Sequence, residues 1–131
     1  MNKIFIIFTI LTYTLLAEPI PLYKLPKKSL DFVNENFNDS TLYRAIEDFG
    51  NYTLIFKGGL KVFVDNNGDW YRVINPNGIK ITFLEKEVQR TIRKQYKDDV
   101  IIHLHNHKEY YSIKLKNGTY IKIKADGNII E

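Results

Sequence analysis

Two periodic patterns follow one another along this chain, one typical of helices and one typical of strands. The stretch LEKEVQRTIRKQY has an apolar side chain at every fourth position, at Leu84, Val88, Ile92 and Tyr96. This spacing places the four side chains along one side of a helix, where they can face a core. The earlier stretch PKKSLDFVNENF has a similar, shorter stripe and begins at Pro26, whose missing N–H suits a first helical turn.

After each helical stretch the apolar period becomes two residues. In YSIKLKNGTYIKIK, polar residues separate the apolar positions Ile113, Leu115, Ile121 and Ile123. This alternation predicts an antiparallel hairpin with one buried side and one solvent-facing side. Asn117–Gly118 supplies the turn, because both residues tolerate positive φ. The stretches 41–49 and 100–107 each supply one strand ahead of a hairpin.

The two halves of the chain match without a gap at an offset of 59 residues. Tyr52 aligns with Tyr111, the turn glycines align, and the apolar positions stay in phase. We therefore predict an α+β fold of two tandem repeats, repeat one at about 25–78 and repeat two at about 83–131. Each repeat is predicted to be a helix followed by about four antiparallel strands, with the helices packed on one face of the sheet.

The N-terminal sequence MNKIFIIFTILTYTLLA has the order of a secretory signal: Lys3, a 13-residue apolar run at Ile4–Leu16, and Ala17. The run is shorter than the roughly 20 residues of a spanning helix. We therefore predict a signal peptide at residues 1–17 and no membrane span after its cleavage, which leaves residues 18–131 as one exported domain. The chain has no cysteine, so its stability must come from packing and not from disulfides.

Positive charge is concentrated in the second half of the chain. Residues 18–78 carry 7 basic and 8 acidic side chains, whereas residues 79–131 carry 11 basic and 7 acidic ones. The excess is too small to predict nucleic-acid binding. It leaves two interpretations open: a surface that meets an anionic partner, or lysines that only keep a small domain in solution.

No group of side chains in the sequence forms a catalytic motif. Ser29, Ser40 and Ser112 lie outside any nucleophile motif. Adjacent acidic pairs such as Asp98 and Asp99 fall at strand or turn ends, and the stretch DNNGD lacks the spacing of a calcium loop. We therefore predict that the protein is not an enzyme and uses no cofactor.

Three histidines, His103, His105 and His107, occupy alternate positions of a predicted strand, so their side chains point to one side. Two neutral imidazoles at that spacing can bind Zn²⁺, Ni²⁺ or Cu²⁺, which makes these residues weak candidate metal ligands. The other interpretation is a polar strand side whose imidazoles become charged as the pH falls toward about 6.5. The pattern favours the polar strand side, and no metal site is assigned.

The strand phase also predicts a partner-binding surface on the sheet face that points away from the helices. This surface is mainly apolar in the first half of the chain and basic in the second. Its predicted residues are Ile46, Ile55, Phe63, Trp70, Arg72, Lys114, Lys116, Lys122 and Lys124. Burial of the first-half residues under another part of the chain would leave the same pattern, so both interpretations stay open.

The hairpins of form Tyr-x-apolar-x-apolar-x-x-Gly, each followed by an Asp-x-x-Gly or Asp-Gly turn, resemble the PepSY-like family, which is described as beta-lactamase-inhibitor-like. The resemblance extends from Leu25 to Ile130. It implies a periplasmic or secreted, non-enzymatic domain whose sheets are packed on one side by helices. The namesake inhibitor grips an enzyme with its curved sheet but is disulfide-stapled, so β-lactamase inhibition is not carried over to this cysteine-free chain.

These features together predict an exported periplasmic binding or inhibitory module that recognises a protein or peptide through its sheet face. The alternative is a periplasmic metal-binding protein that uses the strand with His103, His105 and His107. The sequence predicts neither the identity of the partner nor the oligomeric state.

Overall fold

The computed structural model describes residues 18–130, and the predicted signal peptide at residues 1–17 lies outside them. The helical elements are a short 3-10 helix at Leu22–Lys24, α1 at Lys27–Asn36 and α2 at Lys86–Gln95. The strands are β1 (Glu18–Ile20), β2 (Leu42–Asp48), β3 (Asn51–Phe56), β4 (Lys61–Val64), β5 (Trp70–Ile74), β6 (Ile101–Asn106), β7 (Tyr110–Leu115), β8 (Tyr120–Lys124) and β9 (Ile129–Ile130). None of the helices in this part of the chain has the length and apolar composition needed to cross a membrane.

All nine strands form one antiparallel sheet, in which each strand pairs with the next along the chain. β5 pairs with β6 through Val73 opposite Leu104, and this pairing joins the strands of the first half to those of the second. The predicted fold class, two tandem repeats that each hold a helix and about four strands, is therefore wrong. If each half formed its own sheet, β5 and β6 would be edge strands with unpaired N–H and C=O groups. Because β5 pairs with β6, the backbone groups along both strands are hydrogen-bonded. β1 adds a ninth strand through its pairing with β2.

Both α-helices pack on one face of the sheet and enclose a continuous core. α1 contributes Val33, and α2 contributes Val88 and Ile92. The buried strand residues that face them include Leu54, Val62, Val73, Leu104, Ile113 and Ile123. Because successive strand residues point to opposite faces, the alternate positions of the same strands lie on the other side of the sheet.

Two turn glycines allow the sheet to approach the helices closely. Gly68 lies between β4 and β5 with φ +88°, and a Cβ there would lie 2.9 Å from the Cβ of Pro26. Gly127 lies between β8 and β9 with φ +91°, and a Cβ there would lie 2.7 Å from the carbonyl oxygen of Glu87. The hydroxyl of Thr91 donates a 2.6 Å hydrogen bond to the carbonyl of Gly127. These contacts fix both helices against one face of the sheet.

Candidate functional site

The sheet face opposite the helices, here called the open face, extends from β2 to β8. Directly opposed residues of neighbouring strands share a face, so the register defines its members. Phe63 opposes Arg72, Arg72 opposes His105, and Lys114 opposes His103. The predicted partner-binding residues that lie on it are Ile46, Ile55, Phe63, Arg72, Lys114, Lys122 and Lys124. The sheet therefore brings most of the predicted set together on one surface.

Two residues of the predicted set lie elsewhere. Lys116 follows the end of β7 and is exposed in the turn that leads to β8. Trp70 lies on the helix-packed face, so its predicted outward orientation is wrong. The register between β4 and β5 shifts at this point, because Phe63 opposes Arg72 whereas Val64 opposes Trp70. Such a bulge reverses the side on which the residues beyond it point.

Trp70 belongs to an aromatic cluster beneath the helices. Its ring stacks on Phe32 at 5.9 Å and on Tyr111 at 6.2 Å between centroids. The ring of Phe83 meets it edge to face at 5.2 Å. Aromatic pairs in these geometries add stability beyond the area that they bury. Trp70 therefore contributes to the packing of the helices on the sheet and not to the open face.

Arg72 lies near the middle of the open face and is held from two sides. Its Nε donates a 2.8 Å hydrogen bond to Nε2 of His103. Its guanidinium carbon lies 5.4 Å from the centre of the Phe63 ring, a cation–π contact. The bulge brings the ring of Tyr71 onto the same side, 6.1 Å from Phe63 and 6.4 Å from His105. The result is a fixed cluster of aromatic rings around one permanent positive charge.

The histidines extend this cluster toward β7. The imidazole rings of His105 and His107 lie 4.0 Å apart, and Nε2 of His107 lies 2.9 Å from the Ser112 hydroxyl oxygen. Burial lowers the pKa of His103, and the neighbouring positive side chains, Arg72 first, lower it further. Burial and then His107 and Arg72 lower the pKa of His105. His103 and His105 therefore become charged only below the value of about 6.5 expected from the sequence.

The geometry gives no support to a metal site at these histidines. Among the described residues, no group of three or more His, Cys, Asp or Glu side chains is arranged to hold a metal ion. Nε2 of His103 already accepts a hydrogen bond from Arg72, whose fixed positive charge opposes the approach of a cation. The alternating spacing of the three histidines therefore does not group three or more metal ligands in the described part of the chain.

Ser112 and His107 pair a hydroxyl with an imidazole, the combination that a nucleophilic serine requires. A triad also needs a third group that orients the imidazole. Across residues 18–130, the hydrogen bonds of His107 include no such side chain, and its ring instead stacks on Tyr110 at 4.6 Å. The contact has the features of a surface hydrogen bond.

The basic side chains of the open face have no acidic partners in the described part of the chain, where the four ion pairs lie elsewhere. The ammonium groups of Lys114 and Lys122 lie 5.5 Å from the ring centres of Tyr120 and Tyr110, respectively. A groove of about 280 Å³ beside them is lined by His103, His105, His107, Ser112, Ile113, Lys114 and Tyr120. The open face therefore combines aromatic contact area with basic side chains that form no ion pair among the described residues.

Sequence reasoning missed three tyrosines of this surface. Tyr110 and Tyr120 oppose Lys124 and Lys114, so the strand alternation that identified the lysines could also have identified them. Tyr71 could not be found in this way, because its outward position depends on the bulge between β4 and β5. Burial raises the pKa of Tyr71, so its phenol stays protonated at neutral pH.

Comparison with known proteins gives a family and a set of similar structures. A family model described as "Putative beta-lactamase-inhibitor-like, PepSY-like" matches residues 50–131. No curated protein matches the chain at a significant level. The fold is similar to that of a "putative calcium-regulated periplasmic protein" from Bacteroides thetaiotaomicron, with 27% identity and a TM-score of 0.79. That alignment covers 88% of this chain and 94% of the other.

Two structures from Bacteroides vulgatus ATCC 8482 have the same fold at lower identity. One, described as a "putative periplasmic protein", is 24% identical to this chain with a TM-score of 0.78. The alignment covers 88% of this chain and 94% of the other. The other, a "putative periplasmic protein of unknown function", is 14% identical with a TM-score of 0.77 and covers 88% and 97%. At these identities the similarity shows a common fold.

Proposed function

Because this chain belongs to the PepSY-like family, we propose that it is a periplasmic, non-enzymatic module that recognises a protein or peptide through the open face of its sheet. In this proposal residues 1–17 direct export and residues 18–131 form the binding domain. The proteins of similar structure are described as periplasmic, which supports the location. The matched family is described as beta-lactamase-inhibitor-like, which supports a binding role.

The observation that carries this proposal is the cluster of Phe63, Tyr71 and Arg72 on the open face. Aromatic and arginine side chains are the residues that most often anchor protein interfaces. Here they project from paired strands, and their contacts with one another restrict their rotamers. A side chain that is already restricted loses less conformational entropy when a partner binds.

We propose no second function for the histidine strand. Among the described residues, no three or more His, Cys, Asp or Glu side chains are grouped to hold a metal ion, so no observation favours metal binding at this strand. The hydrogen bond from Arg72 supports a different role for His103, which is to hold a positive group in place on the open face.

Site-specific photo-cross-linking in the native cells tests this function. A photoreactive phenylalanine analogue is placed at position 63 or at position 71 of the full chain, and at Lys94 on α2 as the control. We expect one and the same protein to be captured from positions 63 and 71 and not from position 94. Capture from position 94 alone, or of unrelated proteins from positions 63 and 71, would contradict recognition through the open face.

A further inference from the structure

Positive side chains occupy the centre of the open face on three strands. Lys61 on β4, Arg72 on β5 and Lys114 on β7 lie on this side of the sheet. None of the three forms an ion pair with any acidic side chain of residues 18–130. Unpaired positive charges on a rigid surface attract anionic groups of a partner and disfavour cationic ones.

Arg72 has the geometry to bind one anionic group with two hydrogen bonds. Its Nε is occupied by His103, and the Phe63 ring lies against the guanidinium. Within the described part of the chain its two terminal nitrogens make no hydrogen bond, so they remain free to donate. A planar guanidinium donates two parallel hydrogen bonds to a carboxylate, whereas an ammonium group acts as a point charge.

The surroundings of His103 indicate where this positive potential is concentrated. His103 opposes Lys114 on β7 and Ile74 on β5, and it shares its own strand face with His105. Burial lowers its pKa first, and then the charges of Arg72, His105 and Lys114 lower it further. Arg72, His105 and Lys114 therefore all act electrostatically on the position of His103 on the open face.

We propose that Arg72, fixed by His103 and Phe63, forms the centre of a carboxylate-binding subsite and that Lys114 supplies its second positive group. This inference rests on the proposed function, since it takes the partner to be a polypeptide. It specifies that the bound segment is acidic. The carboxylate comes from an Asp or Glu side chain or from the C-terminus of the partner, because these are the carboxylates that a polypeptide offers.

Calorimetric titration with three extended peptides tests the subsite and separates the two sources. The first peptide alternates Glu and Thr and is amidated at its C-terminus, the second replaces every Glu by Gln, and the third is the Gln peptide with a free C-terminal carboxylate. Each is titrated into the full mature chain and into the variants Arg72→Gln, Arg72→Lys and Lys114→Gln. Lys94→Gln, on the exposed side of α2, is the control with the same change of charge.

We expect the wild-type chain to bind the Glu peptide at least about tenfold more tightly than the amidated Gln peptide. Arg72→Gln should abolish this preference, Arg72→Lys and Lys114→Gln should weaken it, and Lys94→Gln should preserve it. A preference for the third peptide over both amidated peptides, lost in Arg72→Gln, would assign the same subsite to a chain terminus.

The other outcomes overturn the subsite. Equal affinity for all three peptides would exclude it while leaving polypeptide recognition by the open face intact. A Glu preference that survives in Arg72→Gln, or that Lys94→Gln removes equally, would show that net charge alone causes the preference. Absence of binding by any of the peptides would also contradict the subsite, whereas recognition of a partner through the open face is decided separately by the cross-linking experiment.

Discussion

Arg72 on β5 donates a 2.8 Å hydrogen bond from Nε to Nε2 of His103 on β6, at the junction between the two halves of the sheet. Nε2 can accept only while the imidazole is neutral and carries its proton on Nδ1. Protonation of His103 would therefore break this bond and place two positive groups side by side. The contact connects the orientation of Arg72 on the open face to the charge state of one histidine.

The pH dependence of stability follows from the lowered pKa values of His103 and His105. In the unfolded chain both imidazoles take up protons near their ordinary value of 6.5, whereas in the folded chain they do so at lower pH. The unfolded state then binds more protons, so the free energy of unfolding decreases as the pH falls from about 6.5 through the folded values. Denaturant titrations over this range measure the decrease.

The double variant His103→Gln and His105→Gln is the control for this effect. Glutamine is neutral, and its amide oxygen can still accept the hydrogen bond from Nε of Arg72. We expect the variant to have a shallower decrease in unfolding free energy over the same pH range. An identical decrease in both proteins would assign the pH dependence to carboxylates and contradict this account.

Phe63 and Trp70 should respond differently to substitution by serine, because they lie on opposite faces of the sheet. Trp70→Ser removes a ring packed against Phe32, Phe83 and Tyr111, and should lower the unfolding free energy by about 3 kcal/mol. Phe63→Ser removes an open-face ring and should cost less than about 1 kcal/mol while weakening partner capture. Chemical denaturation of both variants measures the contrast. A larger loss in Phe63→Ser would show that the ring is part of the core.

Gly127 and Gly118 provide a matched pair of turn glycines. Both have positive φ, +91° and +93°, so replacement by alanine strains the backbone in each case. A Cβ at Gly118 meets open space, whereas one at Gly127 would lie 2.7 Å from the carbonyl oxygen of Glu87. We expect Gly127→Ala to lower the unfolding free energy by at least about 1 kcal/mol more than Gly118→Ala. Equal losses in thermal denaturation would indicate that α2 moves to accommodate the methyl group.

The hydroxyl of Tyr111 links the sheet to the start of α2. It donates to the carboxylate of Glu85, whose two oxygens both lie 2.8 Å away. Burial, then the hydrogen bond and the charge of Glu85, raises the pKa of Tyr111, so the phenol keeps its proton. Tyr111→Phe should lower the unfolding free energy by about 1–2 kcal/mol. Tyr43→Phe removes a hydroxyl from an exposed ring and should leave stability unchanged.

Much of the local structure could be predicted from the sequence, because burial on one side of an element leaves a periodic pattern. The alternation around Asn117–Gly118 predicted a hairpin, and β7 pairs with β8 there, with Ile113 and Ile121 buried. The stripe with Val88 and Ile92 predicted the buried side of α2. The open-face lysines followed from the same alternation.

The arrangement of the strands could not be predicted in this way. The pairing of β5 with β6 is made by backbone N–H and C=O groups, which all residues except proline carry, so it leaves no side-chain pattern. The bulge between β4 and β5 likewise has no signal in the sequence, and it moved Trp70 to the helix face and Tyr71 to the open face. The bond from Arg72 to His103 depends on both features, because it crosses from β5 to β6.

Recognition through the open face is tested most directly by lysine acetylation footprinting of this chain. The footprint is measured with and without the purified partner that the cross-linking experiment identifies. The chain carries lysines on both sides: Lys61, Lys114 and Lys122 on the open face, and Lys86 and Lys94 on α2. Addition of the partner should protect the open-face lysines from acetylation and leave the α2 lysines as reactive as in the free chain. Protection of the α2 lysines with unchanged reactivity of the open-face lysines would contradict the account.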